Sequence, residues 1–90
     1  MKIDIEKIRL VYGNDTLKLV KENFEDIKKN IKYLEQLGFN DVVDIFERYV
    51  VIFICDCSYF KENINKLIKK LGENYVERIE NNLNLLEDLI

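Results

Sequence analysis

The chain has 90 residues, of which 48% are hydrophobic and 34% are charged, with 17 acidic against 14 basic side chains. It contains no Ala, so the apolar fraction consists of large side chains that bury a core without disulfides. This composition excludes intrinsic disorder and a disulfide scaffold. The absence of His excludes a histidine base and a histidine metal ligand, so we expect no enzyme and no cofactor.

The termini and cysteines indicate a cellular setting. Residues 1–6 are charged throughout and lack the apolar stretch of a signal peptide. The longest apolar run, residues 49–55, is far shorter than the ~20 residues that span a bilayer. Cys55 and Cys57 stand too close together for an unstrained disulfide. We therefore predict a cytoplasmic protein without a membrane segment.

The first predicted helix covers residues 2–12, with Ile5, Ile8 and either Val11 or Tyr12 facing inward. The next covers residues 15–37 and is one long helix, with a bend near residues 28–30 as an alternative. Its apolar side chains recur at heptad spacing and form a seam: Leu17, Val20, Phe24, Ile27, Ile31 and Leu34.

Three more helices follow, over residues 40–54, 59–71 and 74–89. The β-branched run at residues 50–52 leaves a strand over 49–55 as an alternative. Gly13, Gly38 and Gly72 each follow an apolar segment and precede Asn or Asp within two residues. This predicts corners with positive φ at the glycine and a capping Asn or Asp after it. Asp56 is a predicted cap before the fourth helix.

The chain repeats itself with a period of 33 to 34 residues. The segment from Asn30 to Ile45 matches the segment from Asn63 to Ile79, with one extra residue before the second glycine. A weaker copy surrounds Gly13. The pattern over residues 29–89 resembles the repeat of the mitochondrial transcription termination factor family. The resemblance implies helix–helix–short-helix units stacked in an array. Because this chain is acidic and lacks Pro, the resemblance implies shape and not activity.

We therefore predict a single all-α domain over residues 1–90, with four or five helices in a compact bundle or a short stacked helical-repeat array. An alternative helix-turn-helix around Gly38 conflicts with Asp41 and Asp44, whose charges repel phosphate at the groove-facing end. As i, i+3 pairs, Asp41–Asp44 and Glu77–Glu80 are typical of a solvated helix face, with acid–base work as the alternative.

The two cysteines have two interpretations. Cys55 is interpreted as a small buried hydrophobe and Cys57 as a loop thiol. The alternative is half of a thiolate metal site, which only a second copy of the chain would complete.

Two surfaces are candidate contact sites. A basic strip for a partner or for phosphates is predicted from six side chains: Lys28, Lys29, Lys32, Lys66, Lys69 and Lys70. The seam over residues 17–34 predicts a homodimer, because a helix of this length overhangs a small globule. The alternative is that the third to fifth helices cover the seam within one chain.

The function favoured by these observations is a small, non-catalytic protein-interaction module. Regulators, inhibitors and antitoxin- or immunity-type partners belong to this class. The second-ranked function is a nucleic-acid-binding helical-repeat domain that uses the lysine strip. The distribution of the lysines and of exposed apolar side chains discriminates between the two, since an exposed apolar stripe favours a protein partner.

Overall fold

The computed structural model describes residues 3–89, which contain helices and no strand. The elements are α1 (Ile5–Tyr12), α2 (Asn14–Glu22), α3 (Phe24–Gln36), α4 (Val42–Arg48), α5 (Val50–Phe53), α6 (Cys57–Leu71), α7 (Tyr75–Asn81) and a C-terminal 310 helix (Leu83–Leu89). The predicted all-α class is confirmed, whereas the predicted count of four or five helices is wrong. The strand alternative for residues 49–55 is also wrong, because α5 occupies that segment. Lys2, within the first predicted helix, lies outside the described residues.

Three of the predicted helices are each interrupted by a residue with a non-helical backbone. The helix predicted over residues 15–37 is two helices that meet at Asn23, where φ is −111° and ψ is 21°. Tyr49 divides the helix predicted over 40–54, and Asn82 divides the one predicted over 74–89. The first break falls at Asn23 and not at residues 28–30. There the Asn23 Nδ2 donates to the Leu19 carbonyl at 2.8 Å, and such bonds compete with regular helix.

The corner after α3 has the predicted geometry. Gly38 has φ +103°, which confirms the predicted positive φ. The N–H groups of Gly38 and Phe39 donate to the carbonyls of Glu35 and Leu34 at 3.1 and 3.2 Å. This pair of bonds defines a Schellman cap, in which the residue after the helix takes positive φ. The cap turns Phe39 into the core, where it is buried.

The capping predicted after the glycines holds in position for Asp41 and Asn74, which are the N-cap residues of α4 and α7, and is wrong for Asn14. Asn14 lies inside α2, and neither Asp41 nor Asn74 makes a side-chain bond to the helix that follows it. Asp41 instead takes a left-handed conformation, with φ 45°. The side chains that do cap helices are those of Asp4 and Asp56, each accepting from the backbone N–H three residues later at 3.0 Å. The predicted cap at Asp56 is confirmed.

The predicted repeat is visible in the order of the helices. The series α3, α4, α5 recurs as α6, α7 and the 310 helix, each beginning 33 residues after its counterpart. Helices α4 and α7 both have 7 residues. Asn30 bonds the carbonyls that precede α6, and the later Tyr33 bonds Asn65 inside it. A later residue of α3 thus contacts a later residue of the segment that contains α6. The packed helices α3 and α6 therefore run in the same direction.

One hydrophobic core draws a buried side chain from every helix. Three phenylalanines lie at its centre: the ring centroids of Phe46 and Phe53 are 5.3 Å apart, and those of Phe53 and Phe60 are 5.1 Å apart. Such aromatic pairs contribute beyond the apolar area that they bury. The buried polar residue described in this core is Asn30.

Helix α1 is attached to α4 through Glu47. The Glu47 carboxylate accepts from the Asp4 N–H at 3.4 Å and pairs with the Lys7 ammonium at 3.2 Å. The Tyr12 hydroxyl donates to the Glu47 backbone carbonyl at 2.8 Å. Tyr12 therefore faces inward and Val11 faces solvent, which decides between the two residues predicted for that position.

Candidate functional site

The six lysines predicted as one strip lie on more than one surface. Lys29 and Lys32 of α3 line a groove between α3 and α6, together with Tyr33, Gln36, Cys57 and Lys61. Neither lysine, nor Lys61, has a carboxylate within 4.0 Å among residues 3–89. Lys28 adjoins this groove, pairs with Glu25 at 3.2 Å and lies 5.3 Å from the Phe24 ring centroid. Lys29, Lys32 and Lys61 therefore concentrate positive charge in this groove, while Glu25 and Glu35 lie in the neighbouring groove beside Lys28.

Lys66 and Lys70 lie on the other flank of α6. At about 100° per residue, they stand about 140° and 180° around the helix from Lys61. They line a second groove that the 310 helix completes. Lys66 pairs with Glu62 at 3.6 Å and Lys70 pairs with Asp88 at 3.3 Å.

The predicted strip thus divides into an α3 group and an α6 group. Lys69 is exposed and lines neither of the two grooves. The residue that joins the α3 group is Lys61, which was not among the six. The signal for it was in the sequence, since Lys61 stands one 33-residue period after Lys28.

The predicted self-association seam lies inside the fold. Its members Leu17, Val20, Ile27, Ile31 and Leu34 are all buried, and Phe24 is half-buried. The neighbouring helices cover these side chains, so the seam has little surface for a second copy. The homodimer itself stays a prediction.

The exposed large hydrophobic side chains are concentrated at the N-terminal end of the chain. Leu10 and Val11 of α1 are 72% and 64% exposed, and Leu19 of α2 is 47% exposed. Two others, Val51 and Tyr59, lie on α5 and α6.

Cys55 and Cys57 are both free thiols and half-buried. The Cys55 thiol donates to the Ile52 carbonyl, with 3.6 Å between Sγ and oxygen. Burial raises the pKa of the Cys55 thiol, and the nearby charges of Asp56 and Asp26 raise it further. A raised pKa leaves less thiolate at neutral pH, which makes Cys55 a weaker nucleophile and metal ligand. Within residues 3–89, no three His, Cys, Asp or Glu side chains come together as a metal-binding group.

The paired carboxylates have structural partners. Asp44 pairs with Arg48 at 3.1 Å, and the Glu80 carboxylate accepts from the Asn40 N–H at 3.0 Å. Asp41 and Glu77 are exposed. In each pair, one carboxylate therefore has a partner within the fold and the other is exposed to solvent.

No helix within residues 3–89 combines the length and the apolar character needed to cross a membrane. No protein family, curated protein or solved structure matches this chain.

Proposed function

We propose that the protein is a non-catalytic protein-interaction module whose main contact surface is the α1–α2 hairpin. The observation that carries the proposal is the exposure of Leu10, Val11 and Leu19 on these two helices. Covering a large aliphatic side chain contributes about 1.5–3 kcal/mol, so a partner that buries these residues gains affinity from each. The class includes regulators, inhibitors and antitoxin- or immunity-type partners.

The anchoring of the hairpin supports this assignment. Ile8, Leu17 and Val20 fix the inner sides of α1 and α2 in the core, and the Tyr12–Glu47 hydrogen bond ties α1 to α4. The exposed side chains are therefore presented on elements with a defined position. A preorganised surface loses less conformational entropy on binding than a flexible one.

The test is site-specific photo-crosslinking in the native host. A photoreactive side chain replaces Leu10 in one strain and Lys18, an exposed charged residue of α2, in a control strain. We expect one discrete crosslinked protein from the Leu10 strain and none from the Lys18 strain. The replacement Leu19→Ser should then reduce that crosslink while leaving the melting temperature unchanged. Equal crosslinking from both positions would contradict the proposal.

A second candidate is nucleic-acid binding by the α3–α6 groove. It is supported by Lys29, Lys32 and Lys61, which share this groove and lack carboxylate partners among the described residues. Binding through phosphates falls steeply with salt. The replacement of all three lysines by Glu should abolish any such complex. The matched triple replacement at Lys66, Lys69 and Lys70 tests the other flank, where Asp88 and Glu62 already offset the charge. A duplex or single strand that binds no better at 50 mM than at 300 mM salt would reject this candidate.

A further inference from the structure

The repeat gives α3 and α6 equivalent flanks that are occupied differently. On α3, this flank receives α6: the Tyr33 hydroxyl donates to Asn65 at 2.8 Å, and the Tyr33 ring meets the Phe60 ring edge-on at 6.5 Å. Asn30 on the same flank donates to the Phe53 and Cys55 carbonyls, both at 2.9 Å. The flank of α3 is therefore a packing site for a helix that runs parallel to it.

The corresponding flank of α6 retains some of the residue types of this packing site. Asn63 stands 33 residues after Asn30, and Leu67 stands 33 residues after Leu34. Both line the groove between α6 and the 310 helix, where Leu67 is buried and Asn63 is half-buried. Tyr59, at the edge of the groove, is 57% exposed. No helix within residues 3–89 occupies this flank as α6 occupies the flank of α3.

Two sequence differences between the repeated units indicate which kind of helix can pack against this flank of α6. Lys66 stands where the first unit has Tyr33, and Lys70 stands where it has Leu37. The side chains of Lys66 and Lys70 are 72% and 71% exposed, so their ion pairs with Glu62 and Asp88 are surface pairs that exchange readily. The pair with Asp88 lies in the groove itself, where the Lys70 ammonium donates to a carboxylate.

We propose that this flank of α6 binds an acidic amphipathic α-helix of a partner protein. The proposal extends the interaction-module function to a second surface and does not depend on the α1–α2 hairpin. The partner helix packs an apolar side chain against Tyr59 and Leu89, the apolar residues of the groove that keep exposed surface. It places two carboxylates, four residues apart, opposite Lys66 and Lys70.

Helical geometry gives the reason for this spacing. Lys66 and Lys70 are four residues apart on α6, which separates them by about 6 Å along the helix axis. Two carboxylates at i and i+4 of a partner helix have the same separation and lie on one face. A helix packed alongside α6 therefore satisfies both lysines at once while its apolar side chains enter the groove.

The experiment uses the full 90-residue chain, labelled with 15N, and two designed helical peptides. The first peptide carries Leu side chains at i, i+3 and i+7 on one face and Glu residues at i+4 spacing beside them. The second peptide is identical except that Lys replaces those Glu residues. We expect the acidic peptide to shift the amide resonances of Tyr59, Asn63, Lys66 and Lys70. The resonances of α1 and α2 should remain in place.

Charge reversal provides the decisive comparison. The double replacement Lys66→Glu with Lys70→Glu should weaken the acidic peptide at least about tenfold, because two ion pairs become repulsions. The same variant should gain affinity for the basic peptide. The control double replacement Lys32→Glu with Lys61→Glu makes the same charge change in the α3–α6 groove, on the opposite flank of α6, and should leave the affinity unchanged. Circular dichroism verifies that each variant is folded.

Several results would overturn the inference. These are an absence of binding by the acidic peptide, resonance shifts centred on Lys29, Lys32 and Lys61, or charge reversal without loss of affinity. Shifts centred on Leu10 and Leu19 would also overturn it, while supporting the α1–α2 surface. A failed crosslink at Leu10 would leave this inference intact, so the two proposals fail separately.

Discussion

Asn30 offers the sharpest test of how the two repeated units are joined. Its side chain is fully buried, and its Nδ2 donates to the carbonyls of Phe53 and Cys55, both at 2.9 Å. These carbonyls belong to the segment that leads from α5 into α6. Its Oδ1 is also buried and has no hydrogen-bond partner in residues 3–89. Asn30 therefore stabilises the fold through two hydrogen bonds, while its buried, unpartnered Oδ1 costs stability.

Three replacements separate these contributions. The change Asn30→Ala leaves the Phe53 and Cys55 carbonyls without their donor, at about 1–3 kcal/mol for each group, and also opens a cavity. The change Asn30→Leu loses the same donor but removes the unpartnered Oδ1 and fills the space. We therefore expect Asn30→Leu to destabilise the fold by about 1–3 kcal/mol less than Asn30→Ala.

The change Asn30→Asp adds a charge and a pH dependence. The introduced carboxylate is buried against two carbonyl oxygens, so burial and repulsion raise its folded-state pKa above the unfolded value of about 3.9. A raised folded-state pKa means that the variant is least destabilised below the unfolded pKa. Relative to wild type, it loses stability as the pH rises through the folded-state pKa. At pH 7 the unpaired buried charge adds about 3–5 kcal/mol to the cost of the lost Nδ2 donor, and the two together approach the whole free energy of unfolding of a small domain.

Urea unfolding followed by circular dichroism at 222 nm, at pH 4 and pH 7, measures these differences. The expected order of destabilisation at pH 7 is Asp, then Ala, then Leu. Only for the Asp variant should the deficit in unfolding free energy relative to wild type become smaller at pH 4. Equal stability of the Asp and Leu variants at pH 7, or an Asp variant whose deficit is independent of pH, would refute the role assigned to Asn30.

Three further predictions concern the corner, the hairpin and the seam. At Gly38, Ala and Val should each cost more than ~1 kcal/mol in unfolding experiments, because φ is +103° while no atom lies within 4 Å of an added Cβ. An unchanged melting temperature would contradict backbone strain as the cause. Glu47→Ala should lower hydrogen-exchange protection in α1 more than in α6, by about 1–2 kcal/mol, because it removes two contacts to α1. A uniform loss of protection across the chain would count against the attachment of α1 to α4 through Glu47. Ile31→Asp should give an unfolded chain and Lys18→Asp a folded one, because Ile31 is fully buried. Sedimentation equilibrium that finds a dimer for the wild type and a folded 10.8 kDa monomer for Ile31→Asp would instead restore the seam as a contact between copies.

The candidate surfaces show how far sequence reasoning reached. Lysine positions on each helix follow from helical periodicity, so the sequence placed Lys28, Lys29 and Lys32 near one another. It did not separate Lys66 and Lys70 from that group, since their relation depends on how α6 is rotated against α3. The Tyr33–Asn65 hydrogen bond and the packing of Phe60 set that rotation. Lys61 joins the α3 group for the same reason.

Features that depend on local chemistry could be predicted from the amino-acid sequence alone. Apolar spacing determined the all-α class and the buried faces, while glycine after a helix determined positive φ at Gly38. The Asp56 cap and the 33-residue recurrence of the helices were also readable. Each of these follows from neighbours within a few residues or from direct comparison along the chain.

The positions of the helix breaks, and the residues that cover the seam, depend on packing between distant segments of the chain. The heptad spacing continues through Asn23, so the pattern of apolar residues is the same for one helix as for two. Packing likewise decided that Ile27, Ile31 and Leu34 are covered within the chain. Asn30 is the clearest case, because a polar residue at that position reads as a solvated side chain until Phe53 and Cys55, more than twenty residues away, supply its acceptors. Contacts between residues that distant depend on the path of the whole chain, which local periodicity does not encode.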